Sequence, residues 1–465
     1  MDANINSRLL RGLGSQGYGQ VVQMLIRLAE VPLLLHYWGL QLYGEWLILA
    51  AIPAYLAIGD GGFAGAASRD MSMRSASGDQ TGSLAVFQST ALLLILVSLP
   101  VFGAALALVL FAPLGEWLGF EQMTENEVQV VLLVLIAHVL VGFQGGLING
   151  GFWASGRYPL GMAFSSTTQL IEFVAMAAAV ALGGGPASAA LVYLSGRIVG
   201  TILTRLALKQ ATPWLIYGIA NSSFAEIRRL SSPAFASLAF PLGNALNIQG
   251  VRLIIGVTLG PAAVAVFAPL RTLSNFVIQP RTIVNRLIQP ELGLAFGANN
   301  QGLFDRLFLQ GCQVTLWIGV GVLFVLLLAA PWIWPIWTQG QAALPWPLFL
   351  FLLAAALVNS LWHTALMVPY ATNRHGRIAV IYIGLYGSGA LAVSYFGAQV
   401  AGLAGAGAGL LLAEIAMFAY VLPIVLSMAQ QSWGIWLSSI LQPPTFIFSH
   451  VISAALHRLD SKKSK

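Results

Sequence analysis

The sequence predicts an all-α polytopic membrane protein of about twelve transmembrane helices in two six-helix lobes around a central cationic cavity, both termini cytoplasmic. Three observations carry that expectation. Of 465 residues, 58% are hydrophobic and only 8% are Asp, Glu, Lys or Arg, and the mean hydropathy is +0.80. A water-soluble domain carries about a quarter of its residues as charge, so the solvent for most of this chain is lipid. Twelve windows reach the ~20 mainly apolar residues that cross hydrocarbon, and Lys and Arg alternate between the segments that separate them. The same composition excludes a soluble enzyme and a disordered chain, and the single cysteine, Cys312, excludes a disulfide-rich module. The net charge of +6 does not point to nucleic acid, because the basic residues are scattered and form no dense arm.

The windows fall near 15–35, 43–65, 84–112, 128–151, 160–182, 187–207, 235–258, 262–284, 307–331, 345–369, 377–397 and 402–426. Apolar runs of this length are not β-barrel strands, which alternate over about ten residues. The first window opens on Gly12, Gly14, Ser15 and Gln16 with no small-residue cleavage site after it, so it reads as a retained helix. Basic residues then mark every second segment: Arg8 and Arg11; Arg69 and Arg74; Arg157; Arg205, Lys209, Arg228 and Arg229; Arg286 and Arg306; Arg374 and Arg377; and Arg458 to Lys465. Segments 36–42, 113–127, 183–187, 259–262, 332–344 and 398–401 have no Lys or Arg, and one carries Glu116, Glu121, Glu125 and Glu127 instead. That pattern puts both ends inside. The expected organisation is a lobe over 1–209, a cytoplasmic linker over 210–232, a second lobe over 233–429 and an interfacial tail over 430–465. In the tail, Trp433, Trp436 and a Pro443-Pro444 break suit a helix lying on lipid. A faint repeat relates the lobes: Gly39, Gly44 and Trp46 after the first window match Gly260, Ala265 and Phe267 after the seventh.

Ionisable groups at mid-membrane depth cost about 2.5–3.5 kcal/mol each on insertion scales and mark functional candidates. This chain places Arg27 and Glu30 in the first window, Glu172 in the fifth, Arg197 in the sixth, Arg252 in the seventh, Arg271 and Arg281 in the eighth and Glu414 in the twelfth. Each has a plainer alternative. Arg27 and Glu30, three apart, can pair and steady packing. Arg197 can pair with Glu172 on the neighbouring helix, and Arg281, near the inner end of its span, can snorkel. Arg252 and Arg271 have no acidic residue in their own helices and flank the short Gly260-Pro261 turn, which makes them the strongest candidates for an anionic ligand. The planar guanidinium fork suits phosphate. Glu30, Glu172, Arg197 and Glu414 read either as salt-bridge partners or as carriers of a coupling H+ or Na+. Asp60 and Arg281 are gating candidates, Asp60 because Asp60-Gly61-Gly62 has the form of a helix terminus. His138 and His363 read as lone packing groups, and Pro241, Gly250, Pro269 and Pro280 as bends in the seventh and eighth spans.

There is no Walker A sequence, no His-Glu-x-x-His, no Gly-x-Ser-x-Gly, no paired-cysteine metal site and no recognisable channel filter. No enzyme activity and no cofactor is expected beyond a coupling ion. Transport down or against a gradient remains.

Three stretches carry a family resemblance: Gly17-Tyr18-Gly19-Gln20 through Pro32-Leu33-Leu34-Leu35; Trp38-Gly39, Tyr43-Gly44-Glu45-Trp46 and Asp60-Gly61-Gly62-Phe63; and Asn247 to Gly256 followed by Leu259-Gly260-Pro261. With the span number and two-lobe layout, they resemble the polysaccharide transporter (O-antigen flippase) branch of the multidrug/oligosaccharidyl-lipid/polysaccharide superfamily. The resemblance implies a flippase of the bacterial inner membrane. Such a protein moves undecaprenyl-diphosphate-linked oligosaccharide from the cytoplasmic to the periplasmic leaflet by alternating access, for cell-surface polysaccharide such as O-antigen, lipopolysaccharide or exopolysaccharide. The partners it implies are the lipid-linked oligosaccharide, membrane lipid, a glycan polymerase and other assembly proteins. Arg27, Arg252 and Arg271 are the positions that match the family's cationic cavity. Two alternatives stand beside it: a cation-coupled multidrug exporter of the same superfamily, and a non-transporting scaffold of a glycan-assembly complex.

Overall fold

The computed structural model describes residues 2–58, 62–236, 238–372 and 374–444, with side chains from residue 14 onward apart from 233, 235 and 236. Asp60 and the tail beyond 444 lie outside the described residues. Every element among the described residues is helical. In chain order the principal ones are α1 (Asp2–Leu56), α2 (Phe63–Ala76), α3 (Gln80–Phe111), α4 (Glu125–Ala154), α5 (Tyr158–Ala181), α6 (Pro186–Ala211), α7 (Phe224–Ala236), α8 (Ala239–Leu259), α9 (Pro261–Gly297), α10 (Gln301–Trp337), α11 (Trp346–Ala371), α12 (Gly376–Met428) and α13 (Trp433–Leu441).

Nine of these, α3 to α6 and α8 to α12, are long and apolar enough to cross a membrane. At 1.5 Å per residue the 53 residues of α12 would run about 80 Å if straight, far beyond a hydrocarbon core of about 30 Å. The helix breaks at Ala401 and Gly402, where Gly402 takes φ 58°. Its two limbs then return against each other through Gly397, Gly405 and Gly409, each set against facing backbone where a Cβ would collide. Thus α12 holds the eleventh and twelfth windows. The 55-residue α1 likewise breaks at Gly39 (φ 69°, ψ −178°) and holds the first two. The chain is a multi-pass all-α membrane protein, and its second window ends at Leu56, nine residues before the apolar pattern does.

The chain packs as two compact units, one formed by residues through Pro269 together with Trp334–Ala343, the other by Leu270–Ile333 and the chain from Leu344 onward. In the first unit, Pro32 has no N–H to give the carbonyl of Leu28, four residues back. The indole of Trp337 donates to that oxygen at 2.8 Å. Gln339 Nε2 donates to the Pro32 carbonyl at 3.0 Å and Gln341 Nε2 to that of Leu35 at 2.7 Å. Carbonyls of α1 around Pro32 are thereby capped by a segment about three hundred residues away. Gly260 repeats the geometry of Gly39, with φ 85° and ψ 169°, at the repeat-related junction of α8 and α9. Only glycine enters that region without strain.

At the start of the second window, Glu45 of α1 is fully buried, and its carboxylate accepts the backbone N–H groups of Glu121, Gln122 and Met123 at 2.8, 2.9 and 2.8 Å. Glu125 accepts those of Leu114 and Gly115 at 3.0 and 2.8 Å, so carboxylates tie together the acidic segment between α3 and α4. On α2, Asp70 accepts two bonds from Arg229 of α7, while Arg74 reaches Asp70 at 3.1 Å and Glu226 at 2.8 Å. Burial pushes the Asp70 carboxyl up, but the hydrogen bonds and charges of Arg229 and Arg74 outweigh it and hold it below the usual carboxylate range. In the second unit α13 begins at a Ser432 cap and docks on α10, where Trp317 Nε1 donates to the Ile440 carbonyl at 3.1 Å.

Candidate functional site

Each unit gathers its own intramembrane charges. In the first, a cavity of about 460 Å³ is lined by Gln23, Arg27, Glu30, His138, Tyr193 and Arg197, among others. Arg27 and Glu30 project from one face of α1, three residues apart. Glu30 lies within electrostatic reach of both Arg27 and Arg252, and Arg252 within reach of Tyr43 as well as Glu30. So Arg252 finds on α1 the acid that its own helix lacks. Close packing brings α8 there. Gly256 lies against Ile48, and a Cβ on Gly44 would strike the Pro261 backbone. Just before Arg252, residues Leu246–Gly250 form a π-helical turn. The wider turn rotates everything after it, a device frequent at functional sites.

Behind that pair lies a second cluster. Glu172 of α5 is fully buried, and Arg197 of α6 holds its Oε2 with Nη2 at 3.0 Å. The spacing Gly196-x-x-x-Gly200 lets α6 approach closely, because a Cβ on Gly196 would sit 3.0 Å from Glu172 Cγ and one on Gly200 would strike Thr168. His138 of α4 joins the pair: its Nε2 lies 3.3 Å from Glu172 Oε2 and accepts from Arg197 Nε at 3.1 Å. Tyr193 stacks on the imidazole with centroids 4.2 Å apart. His138 is therefore part of a charged cluster and not a lone packing group. Its presence was hidden in the sequence because its partners lie 34 and 59 residues away.

In the second unit, Glu414 sits on the second limb of α12. Asn359 Nδ2 of α11 donates to both its oxygens at 3.0 Å, and Trp362 Nε1 donates to Oε2 at 2.8 Å. Asn359 Oδ1 in turn accepts from Arg281 Nη1. Arg271 lies within electrostatic reach of Glu414 and Tyr386. Arg281 does not snorkel: its guanidinium turns inward to Asn359, within reach of Tyr382, Tyr386 and Glu414. The two tyrosines come from a second π-helical stretch, Tyr382–Gly389. They close a ring cluster with Trp362 and His363, so His363 packs as expected, its ring 3.9 Å from that of Trp362. Asn359, Trp362 and Tyr386 belong to this candidate site, and the charged-residue reading passed over them. A polar Asn inside an otherwise apolar window is the signal that points to them.

Arginines outnumber acids in both clusters: Arg27, Arg197 and Arg252 against Glu30 and Glu172 in one, Arg271 and Arg281 against Glu414 in the other. Among the described residues, no group of three or more His, Cys, Asp and Glu is placed to hold a metal ion.

The described residues form apolar helices with arginine-rich interiors, which defines the class of a multi-pass all-α membrane protein, and solved structures sharpen the fold. No protein-family model matches the chain, and no curated protein matches it. The fold is similar to an inward-facing multidrug resistance MATE family transporter of the MOP superfamily, with TM-score 0.65 and 18% identity over 88% of this chain and 99% of that one. It is similar to the MATE multidrug transporter DinF-BH, with TM-score 0.65 and 13% identity over 92% and 96%. It is similar to the lipid II flippase MurJ in an inward closed conformation, with TM-score 0.66 and 13% identity over 94% and 92%. The chain has the transporter fold of these proteins.

Proposed function

We propose that this protein is a flippase of the bacterial inner membrane that carries undecaprenyl-diphosphate-linked oligosaccharide from the cytoplasmic to the periplasmic leaflet for cell-surface polysaccharide. The observation that carries the reading is the excess of fixed arginine inside apolar helices, with Arg27, Arg252 and Arg271 as the diphosphate-binding groups. The diphosphate is the costly part of such a substrate to move through lipid, and guanidinium groups replace its lost water with charge-assisted hydrogen bonds. The sugar would travel in the polar cavity while the polyprenyl tail stays in lipid. Transport would proceed by alternating access. The likeness in fold to a lipid II flippase supports a lipid-linked cargo.

The likeness to multidrug transporters supports a second reading, extrusion of drugs coupled to a cation. Glu414, buried and held by Asn359 and Trp362, would then carry the coupling ion. Substitution of Arg252 and Arg271 by Ala, singly and together, separates the two. Loss of surface glycan at normal protein abundance is the outcome expected of the flippase. Undiminished glycan export would remove these arginines from the site, and altered drug sensitivity with normal glycan would favour the exporter. Glycosyltransferase genes beside this one are the further expectation.

A further inference from the structure

The His138–Glu172–Arg197 cluster is one proton short. The Nε of Arg197 carries hydrogen at any working pH and directs it at His138 Nε2 from 3.1 Å. That nitrogen therefore presents its lone pair. Glu172 Oε2, 3.3 Å from the same nitrogen, also presents lone pairs while the carboxyl is ionised, so two acceptors face each other. The other oxygen, Oε1, is buried with no hydrogen-bond partner. A fully buried carboxylate with a bare oxygen is a costly group. One proton on Oε2 removes the facing of two acceptors, and Nε2 then shares its lone pair between the acid O–H and Arg197 Nε–H. The proton also cancels the charge that holds Arg197 Nη2 at 3.0 Å, and it leaves a guanidinium that is 21% exposed without its counter-ion. That guanidinium borders both the 460 Å³ cavity and a second polar cavity of about 220 Å³ lined by Asn149, Thr168 and Thr201.

We infer that this cluster is a proton-linked anion site: one proton taken up between Glu172 and His138 frees Arg197 to bind an anionic group, phosphate or carboxylate, in the cavity of the first unit. The proton comes from solvent and no covalent bond changes. The charged and titratable groups that face the cluster are Arg27 and Glu30 from α1, whose charges offset, and Tyr193 from α6, which lies within electrostatic reach of Arg197 and Glu172. With the proton bound, Arg27 and Arg197 leave the cavity cationic. Without it, Glu172 competes with the ligand for Arg197. Anion binding therefore strengthens as pH falls, opposite in sign to an exchanger in which a proton displaces a cationic substrate. The inference depends on the flippase reading only for which anion arrives: a lipid diphosphate or an acidic sugar.

The test uses the full-length protein in detergent, titrated calorimetrically with a doubly esterified dimethyl diphosphate and separately with glucuronate. Both probes keep constant charge between about pH 5 and 8, the range in which histidine clusters titrate. Expected is affinity for at least one probe that rises up to about tenfold per pH unit as pH falls, with about one proton taken up per anion. Glu172→Gln, whose amide donates to His138 as the protonated acid would, should bind at every pH without proton uptake. Arg197→Gln should lose affinity at least tenfold, and Arg197→Lys should recover part of it. Tighter binding of the diphosphate assigns the lipid head, and tighter binding of glucuronate assigns the sugar. Absence of binding of both probes, pH-independent binding by the wild type, or unchanged pH dependence in Glu172→Gln would overturn the inference. Because the probes need no glycan, failure here is distinct from failure of the export reading, which is measured in cells on Arg252 and Arg271.

Discussion

Glu45 illustrates how a single carboxylate organises a segment that has little secondary structure of its own. Replacing it with Ala removes the acceptor of three N–H groups, those of the exposed residues Glu121 and Gln122 and that of buried Met123. The buried group left unsatisfied costs about 1–3 kcal/mol, while water can meet the other two, so a loss of roughly 1–3 kcal/mol is expected, read as a fall in the thermal midpoint of the purified protein. Asp70 gives a prediction with a sign. Its carboxyl lies below the usual range because Arg229 and Arg74 outweigh its burial, so its contribution is present above the unfolded carboxylate value of about 3.9 and is lost as pH falls through the lower folded value. Hydrogen exchange in α7 should stay slow down to about pH 4 and accelerate below it. Arg229→Gln should make α7 exchange fast already at neutral pH. Neither role is visible in the linear pattern. Glu45 reads there only as part of Tyr-Gly-Glu-Trp, and Asp70 and Arg229 are 159 residues apart.

Glycine decides most at the level of helices, and in two ways. At Gly39 and Gly260 the backbone takes positive φ with extended ψ, turning the chain between consecutive spans. The two sites are the leading residues of the faint repeat, so the repeat has a shared conformation as its physical content. At Gly196 and Gly200 the requirement is closeness. Gly200→Val would drive its side chain into Thr168, part α5 from α6, and cost about 1–3 kcal/mol as an overpacked contact. It should also weaken the Glu172–Arg197 pair, so that the variant loses the pH dependence of anion binding along with thermal stability. Trp337 tests a different kind of repair. Trp337→Phe keeps the ring but leaves the Leu28 carbonyl unmet, and hydrogen exchange around Pro32 should rise with little change elsewhere.

For the molecule as a whole, the distribution of Lys and Arg predicts which segments face the cytoplasm, and the prediction is directly measurable. Cys312 is fully buried, so the native chain is a quiet background for labelling. A cysteine at Glu116 should react with an impermeant maleimide added outside intact spheroplasts, and one at Arg157 should react only after lysis. Equal labelling of both would overturn the orientation.

Hydropathy alone determined that the chain lives in lipid and which stretches are apolar enough to cross it, because each window must supply its own apolar surface whatever it packs against. It also determined which side chains are out of place there: Arg27, Glu30, Glu172, Arg197, Arg252, Arg271, Arg281 and Glu414 stand out as ionisable groups in apolar runs. The partnerships belong to the folded molecule. Arg197 with Glu172 and His138, and Glu414 with Asn359 and Trp362, depend on how each helix is rotated about its axis. In water, that rotation is written in an apolar face. In lipid, the outward face and the packed face are equally apolar, so rotation is set by close contacts at glycine, by the π-helical turns before Arg252 and at Tyr382–Gly389, and by the hydrogen bonds themselves.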